Sequence, residues 1–444
     1  MRFSDLPLHQ ALVRGTTELG FSEPTPIQQA ALPAALGGRD VLGAAMTGSG
    51  KTAAFALPIL QRLLSVPGRG TRALVLTPTR ELAAQVRQHL ADLGRHTSIA
   101  STAIFGGVGP QPQIEALRAG APVVVATPGR LLDHLGSGVA RLDGVEVLVL
   151  DEADRMLDMG FLPDVRRILA HLPVRRQTLL FSATLPAPIV ELSREMLSNP
   201  VRIGVERQAA PATGVSHALF PVPERLKRRL LLEVLQRDAV GTALVFTRTK
   251  HRANRLAQFL VGAGISCDRI HGNRSQSQRE SALAAFKGGR LRILVATDIA
   301  SRGIDVQDLP HVINFDVPVQ PDDYIHRVGR TARAERTGQA ITLFSPEEEP
   351  AVAAIERAVG KRLLRRRLEG FDYQAGDEPL PHRIGPPRPP ARRPAQRPRA
   401  AVEPRAGTVC STSPPSHSTG PAVRPGALTR RPARRFGRRR PAAA

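Results

Sequence analysis

Short runs of β-branched and aliphatic residues, apolar on both faces, recur along this chain, each followed by a stretch long enough for a helix. One set comprises Arg72–Leu76, Pro122–Ala126, Val145–Leu150 and Gln177–Phe181; a second comprises Thr242–Phe246, Leu291–Ala296, His311–Phe315 and Gln339–Phe344. A strand with one wet face alternates apolar and polar residues. These runs do not, so both faces must be covered, as in the parallel sheets of βαβ units. Between the two sets, Gly204–Val215 loses periodicity and turns to Ala, Pro, Gly and Thr. The expectation is an α/β fold with domains at 1–206 and 216–370, joined by a linker at 207–215.

A length of 444 residues suits two or three domains. No stretch reaches about 18 uninterrupted apolar residues, so no membrane span is expected, and the N-terminus lacks the apolar core of a signal peptide. Cys267 and Cys410 stand far apart without ligand spacing. That argues against a disulfide framework or a zinc site and fits a reducing cytoplasm. The net charge of +23 favours a polyanionic partner, although Arg, Ala and Pro richness is partly compositional. From Phe371 to the end there are 15 Arg against four acids, a net of +11, with many Pro and little apolar periodicity. Such a segment cannot bury enough surface to offset its chain entropy, so 371–444 is expected to be a disordered basic tail.

Ala45-Met46-Thr47-Gly48-Ser49-Gly50-Lys51-Thr52 follows an expected strand (Asp40–Ala44) and opens an expected helix (Ala53–Leu64). Glycines let backbone N–H groups wrap phosphate oxygens, and the helix N-terminus adds favourable charge. In such a loop Lys51 reaches the β- and γ-phosphates and the Thr52 hydroxyl ligates Mg²⁺. Asp151-Glu152-Ala153-Asp154 ends another apolar run, at the crevice where open α/β sheets bind ligands. There Asp151 is suited to hold Mg²⁺ through water, and Glu152 to orient or deprotonate an attacking water. Each motif alone has a plain reading, a surface loop or a solvated acidic turn; their joint strand context points to ATP and Mg²⁺.

These motifs, with others in the same order and at the usual distances, resemble the DEAD-box ATP-dependent RNA helicases over residues 3–345, and look closest to the bacterial RhlE group. The resemblance implies two tandem RecA-like parallel-sheet domains. Gly20-Phe21-Ser22-Glu23-Pro24-Thr25-Pro26-Ile27-Gln28 resembles the Q motif, with Phe3 as its distant aromatic. By resemblance Gln28 pairs with the adenine edge and Phe3 offers a stacking platform, while Phe21 and Thr25 complete the pocket. Alone, Pro-Thr-Pro would only suggest a helix start. Ser182-Ala183-Thr184 resembles motif III, which would couple the ATP and RNA sites through Ser182 and Thr184; on its residues alone, a cap for the next helix is the simpler reading.

RNA contacts are implied for Pro78, Thr79 and Arg80 (motif Ia), for Gly106 and Gly107, and for Thr127 and Arg130 in the first domain. In the second they fall on Arg248 (motif IV), Gly272, Asn273 and Arg279, and Thr297 (motif V). Backbone N–H groups, hydroxyls and single Arg side chains suit sugar–phosphate contacts without sequence readout. With no Trp and 4% aromatics, base stacking of the RRM kind is disfavoured. Gly303 and Asp305 complete the ATP site by resemblance. Arg330 and Arg333 lie in motif VI, where Ala332 replaces the commoner Gly; i,i+3 spacing on a helix would let both reach the γ-phosphate.

The implied enzyme is an RNA-stimulated ATPase that unwinds or remodels RNA duplexes locally. Its catalytic set of Lys51, Asp151, Glu152, Arg330 and Arg333 is split between domains. Expected partners are RNA and ribosome-assembly or RNA-decay complexes, around a monomeric cytoplasmic core. The rival readings are a DNA-acting motor of the same superfamily, an ATP-gated RNA clamp, and a basic binding protein carried by the tail.

Overall fold

Every apolar run singled out in the sequence becomes a strand. The computed structural model describes residues 2–45, 48–204, 214–237, 240–298, 306, 309–331 and 338–375. The first lobe holds β1 (Val41–Ala44), β2 (Ala73–Leu76), β3 (Ser101–Ile104), β4 (Val123–Ala126), β5 (Val147–Asp151), β6 (Gln177–Ser182) and β7 (Val201–Ile203). The second holds β8 (Val215–Pro221), β9 (Ala243–Thr247), β10 (Cys267–Ile270), β11 (Ile293–Thr297), β12 (His311–Asn314), β13 (Gly338–Phe344) and β14 (Leu364–Arg365). All pairings between these strands are parallel.

The first sheet runs β3-β4-β2-β5-β6-β1-β7 and the second β10-β11-β9-β12-β13-β8-β14. The second order is the first shifted by seven strands, so the lobes are topological copies. Two-sided burial explains the unbroken apolar runs. Ala73, Val75, Val123, Val125, Val147 and Val149 join one core, while Leu74, Leu76, Val124, Ala126, Leu148 and Leu150 join the core on the opposite face. The period of two thus survives as a choice between two cores rather than between core and water. Among the described residues no helix is long and apolar enough to cross a membrane.

Because all strands run one way, the loops after β1, β2, β4, β5 and β6 gather on one edge of the first sheet, and those after β8, β9, β10, β11 and β12 on the matching edge of the second. Among the described residues, Lys51, Pro78, Thr79, Arg80, Thr127, Asp151, Glu152, Ser182, Thr184, Arg248, Gly272, Asn273 and Thr297 fall on or just past such a strand end, whereas Arg279 lies within the helix Gln276–Lys287 and Arg330 beyond the helix Pro321–Val328.

The expected C-terminal boundary shifts, and the last helix spans Glu349–Val359. Gly360, at φ 74°, ends it in the left-handed conformation, and the chain then adds β14 to the sheet edge. Of the basic trio Arg365-Arg366-Arg367, Arg365 is held by Glu349 and Glu356. Phe371, where composition placed the start of the tail, is buried in the second lobe's core with Tyr373 packed beside it. Gly214 and Val215, the end of the expected linker, lead directly into β8; residues 205–213 and 376–444 lie outside the described residues.

Gly43 in β1 has no room for a side chain, since an added Cβ would meet Phe181 ring carbons at 2.7 and 2.8 Å. Phe181 is fully buried and its ring lies 5.8 Å from that of Phe55. Gly43→Ala is therefore expected to destabilise the first lobe by about 1–3 kcal/mol through overpacking. Denaturant unfolding of the full chain measures this, and an unchanged first-lobe transition would show that the ring can swing aside.

Candidate active site

The loop after β1 carries Gly48 and Gly50 at φ 80° and 91°, conformations open to glycine. Ala45 ends the strand, hydrogen-bonded to Ser182, and Met46 and Thr47 lie outside the described residues. Helix Lys51–Ser65 then begins, with Thr52 in its first turn. Two residues of the Pro-Thr-Pro segment and its Gln hold this loop. Thr25 Oγ1 donates to the Ser49 carbonyl (2.8 Å) and Gln28 Nε2 to the Gly50 carbonyl (2.9 Å), while Gln28 Oε1 accepts from the Thr25 N–H (2.9 Å). The Gln28 amide thus bonds the phosphate loop, besides capping its own helix. Phe3 is only 3% exposed, whereas its neighbour Phe21 is 39% exposed, with ring centroids 6.0 Å apart. The free ring face belongs to Phe21, and Phe3 buttresses it from the core.

Lys51 is buried, with Nζ 3.0 Å from Asp151 Oδ1 and 3.9 Å from Glu152 Oε1. Burial works against its charge, but Asp151, Glu152 and Asp154 outweigh it and hold the ammonium firmly protonated. Burial pushes the Asp151 carboxyl above the usual carboxylate range, with Lys51 pulling against it. Both Asp151 oxygens are buried at the strand end, with Oδ1 facing the Lys51 ammonium. A carboxylate so placed is suited to bind water on a cation.

Glu152 sits at φ 57°, ψ 53°, one of two non-glycine residues with positive φ among those described. Such strain costs on the order of 1 kcal/mol and persists where packing fixes it. It turns the chain sharply from β5 into helix Ala153–Asp158. Arg155 Nε lies 3.3 Å from Glu152 Oε2, with both side chains buried.

Ser182-Ala183-Thr184 does not cap the following helix, Ala187–Met196, whose N-cap is Pro186. Instead Asp154 gathers it. Asp154 Oδ2 accepts from the backbone N–H of Ala183 (3.1 Å) and Thr184 (2.8 Å) and from Thr184 Oγ1 (3.1 Å). The Asp154 N–H donates to Ser182 Oγ at 3.0 Å. Motif III is therefore tied rigidly to the acidic tetrad, through a residue to which the sequence reading gave no role.

The residues that the resemblance assigns to RNA also converge. Arg80 packs so close to Gly107 that a Cβ there would meet Nη1 at 1.8 Å, and Gly107 has φ +81°. Gly106 lies within reach of both Arg80 and Arg130. The Thr79 side chain caps helix Arg80–Leu93, Pro78 is buried before it, and Thr127 stands at the N-cap position of helix Pro128–Gly136 without a side-chain cap bond. In the second lobe Gly272 and Asn273 are exposed, and Asn273 Oδ1 accepts from Lys250 Nζ at 3.1 Å. Thr297 is buried at the end of β11, and exposed Arg248 is held by Glu348 at 2.8 Å.

Glu81 joins the lobes. Its carboxylate pairs with Arg279 Nη2 at 3.0 Å and accepts from Gln276 Nε2 at 3.3 Å. Arg279 is thus first an interlobe contact. Burial, then Arg279 and Arg130, destabilise the charge on Arg80, although Glu81 favours it. Three arginines from two lobes crowd one place.

A second junction lies beside the acidic tetrad, where Arg155 of the first lobe shares a small polar cavity with Asp298, His326, Arg327 and Arg330 of the second. Arg327 is anchored by Asp298 (2.5 and 2.7 Å), the Asn314 side chain (3.0 Å) and the Asp316 carbonyl (2.8 Å). Arg330 was expected on a helix face, but helix Pro321–Val328 stops at Gly329 and Thr331 bridges to Leu309. Arg330 is buried in the turn between. Gly303, Asp305 and Arg333 lie outside the described residues. The sequence reading missed Glu81, Asp154 and Arg155 as site residues; only the tetrad's spacing hinted at Asp154.

Burial and neighbouring Arg155 push His326 down to about 4, against the pull of Asp154 and Glu152. Its folded value lies below the ordinary 6.5, so the unfolded chain binds more protons between these values. Its stabilising contribution is present above about pH 6.5 and lost as pH falls toward 4. His326→Gln should flatten the stability slope in that window, measured by urea unfolding at several pH values; an unchanged slope contradicts the buried neutral imidazole. Glu81→Ala should loosen the lobes, since it leaves Arg279 near Arg80 uncompensated. Small-angle scattering should then show a larger radius of gyration.

Residues 25–192 match a family model described as DEAD/DEAH box helicase, and residues 226–335 one described as helicase conserved C-terminal domain. The DEAD-box ATP-dependent RNA helicase CshA of Geobacillus kaustophilus is 42% identical over 370 residues, covering 83% of this chain and 79% of that protein. Among solved structures, S. cerevisiae Dbp5 bound to RNA and ADP BeF3 is 30% identical, with TM-score 0.76 over 82% of this chain and 95% of that one. A Dbp5 variant bound to Nup159, a Gle1 variant, IP6 and ADP is 29% identical with TM-score 0.58 over 82% and 96%. Both lobes are RecA-like, and the chain belongs to the DEAD-box ATP-dependent RNA helicases, which are RNA-stimulated ATPases.

Proposed function

We propose that ATP is held and hydrolysed between the lobes and that closure on ATP locally separates an RNA duplex. The observation that carries this reading is the shared cavity of Arg155, His326 and Arg330 beside the strained Glu152. In this reading the loop Ala45–Thr52 wraps the phosphates, with Met46, Thr47, Gly48, Ser49 and Gly50 offering backbone and Lys51 its charge. Phe21, backed by Phe3, stacks on the base; Thr25 and Gln28 report loop position to the adenine side. Gly303 and Asp305 complete the pocket from the second lobe. Glu152 orients and deprotonates the attacking water, and Arg330 with Arg333 stabilises the charge on the transferring phosphoryl.

Thr52 and Asp151 would hold Mg²⁺, and the buried carboxylate of Asp151 at the strand end beside Lys51 fits that role. Among the described residues no cluster of three or more His, Cys, Asp or Glu could hold a metal, as expected for an ion held largely by phosphates and water. When bound, the ion supplies neutralisation of the phosphate charge.

RNA is gripped through its backbone by Pro78, Thr79, Arg80, Gly106, Gly107, Thr127 and Arg130 on one lobe and by Arg248, Gly272, Asn273, Arg279 and Thr297 on the other. Ser182 and Thr184, tied to Asp154, carry the state of the ATP site to this track. We assign the chain to the RhlE-like group, as a monomeric, cytoplasmic enzyme acting in ribosome assembly or RNA decay.

Steady-state ATPase rates without nucleic acid, with single-stranded RNA and with DNA of the same sequence test the assignment. Stimulation by RNA alone is expected; equal stimulation by DNA would replace RNA remodelling with a general nucleic-acid motor. Glu152→Gln should lower kcat by about 10²-fold or more while retaining a tight ATP–RNA complex. Normal turnover in that variant would remove Glu152 from the mechanism.

A further inference from the structure

The first lobe's phosphate loop follows β1, and its acidic tetrad follows β5. Since the second sheet repeats the first with a shift of seven, the corresponding positions follow β8 and β12. There the topology is kept but the chemistry differs. Lys227 opens the helix after β8 as Lys51 opens the helix after β1. It is fully buried, and Glu224 and Glu348 take its ammonium at 3.1 and 2.5 Å. The loop Val222-Pro223-Glu224 has no glycine, so it cannot cradle a nucleoside triphosphate as the first lobe's loop does.

Beside this position is a cleft of about 230 Å³ whose lining includes Arg225, Arg228, Arg252, Arg255 and Phe315. Arg252 forms its base, paired with Asp316 at 2.7 Å and also with Glu224, and lies over the Phe315 ring at 5.3 Å. Arg225, Arg228 and Arg255 are exposed at the rim. With Glu224 as the one acid, the lining carries a net charge of +3.

We propose that this arginine cleft is a second phosphate-binding site, and that it takes a phosphodiester of the RNA strand beyond the segment gripped by the motif residues. The assignment rests on the RNA reading above. Two flanking features favour a polymer over a small anion. On one side the cleft is one residue from motif IV: Asp316, the partner of Arg252, also accepts from the Arg248 N–H at 2.8 Å. On the other side Arg225 donates to the Ala375 carbonyl at 3.3 Å, so the packed chain ends beside the cleft and continues into 376–444. That segment contains 15 Arg and only Asp377, Glu378 and Glu403 as acids. A strand leaving motif IV meets the cleft next. The planar guanidinium forks at the rim suit phosphate oxygens along a chain.

The test uses the full chain with Arg228→Glu/Arg255→Glu and the neutral pair Arg228→Gln/Arg255→Gln. Affinity is measured for a fluorescent single-stranded RNA just long enough to fill the core track and for one with added flanks, across a salt series. Wild-type ATPase stimulation by the short RNA is measured first; its absence would overturn the RNA reading itself. Both variants should keep wild-type affinity for the short RNA and wild-type stimulation by it. For the flanked RNA, affinity should fall roughly tenfold in the charge reversal and less in the neutral pair, and the slope of log affinity against log salt should decrease by about 1.4, for two lost phosphate contacts. Equal losses on both RNAs, or an unchanged flanked-RNA slope, would overturn the proposal. So would tighter RNA binding after charge reversal, which would mark an acidic segment as the occupant. Tripolyphosphate binding lost in the variants without any flank effect would make this a small-anion site and also overturn it.

Discussion

Glu81 is the contact on which the split site depends. One carboxylate of the first lobe meets Gln276 and Arg279 of the second, within a group where Arg80, Arg130 and Arg279 would otherwise repel one another. A buried ion pair is weak evidence for stability, because desolvation consumes most of the Coulombic gain. Its use here is conditional. It makes the closed arrangement tolerable, and with Asp133 beside Arg130 the three arginines still outnumber two acids, so the proposed RNA track keeps an excess of positive charge that a polyanion would neutralise. In the proposed mechanism RNA binding and closure favour each other, and with Arg330 in one junction with Arg155 beside the acidic tetrad, RNA and ATP would be reciprocally linked.

The two ends of this linkage are built differently. Around Arg80 and Gly107 the contacts are long side chains meeting backbone with no room to spare. Around Asp154 they are short, with one carboxylate oxygen taking three hydrogen bonds from Ala183 and Thr184. Such a cluster has little freedom to adjust, so a shift at Glu152, two residues away, is passed to the end of β6 instead of being absorbed. Glu152 is itself held in a left-handed conformation, and that rigidity is what a strained residue needs to persist.

Residues whose roles depend on local chain geometry were legible in sequence. Gly48, Gly50, Lys51 and Thr52 form one loop, and Asp151 and Glu152 end one strand, so spacing alone carries the chemistry. Roles that depend on distant partners were not. Glu81 reads as an ordinary acid in a helix's first turn, and Asp154 as the end of a tetrad, until Arg279 and Thr184 arrive from elsewhere in the chain. The cap reading of Ser182-Ala183-Thr184 failed for the same reason: its hydroxyls and amides bond Asp154 in place of the next helix. Short edge strands were hidden too. β3 and β10 are mostly half-buried and four residues long, too brief and too mixed for periodicity to register. Arg330 lost its expected helix to Gly329, a stop that i,i+3 spacing does not see.

The shift-by-seven repeat adds a last step. Two copies of one topology each present a crevice at the same strand ends, but only the first keeps glycines around its helix-opening lysine. In the second, Glu224 and Glu348 consume Lys227, which disables nucleotide binding while fixing Glu348 where it also holds Arg248. Two internal carboxylates thus stand where the first lobe has its glycine loop, and one of them supports Arg248. The asymmetry of the proposed mechanism, one lobe holding nucleotide and one answering it, would follow from which residues surround two equivalent lysines on the same fold.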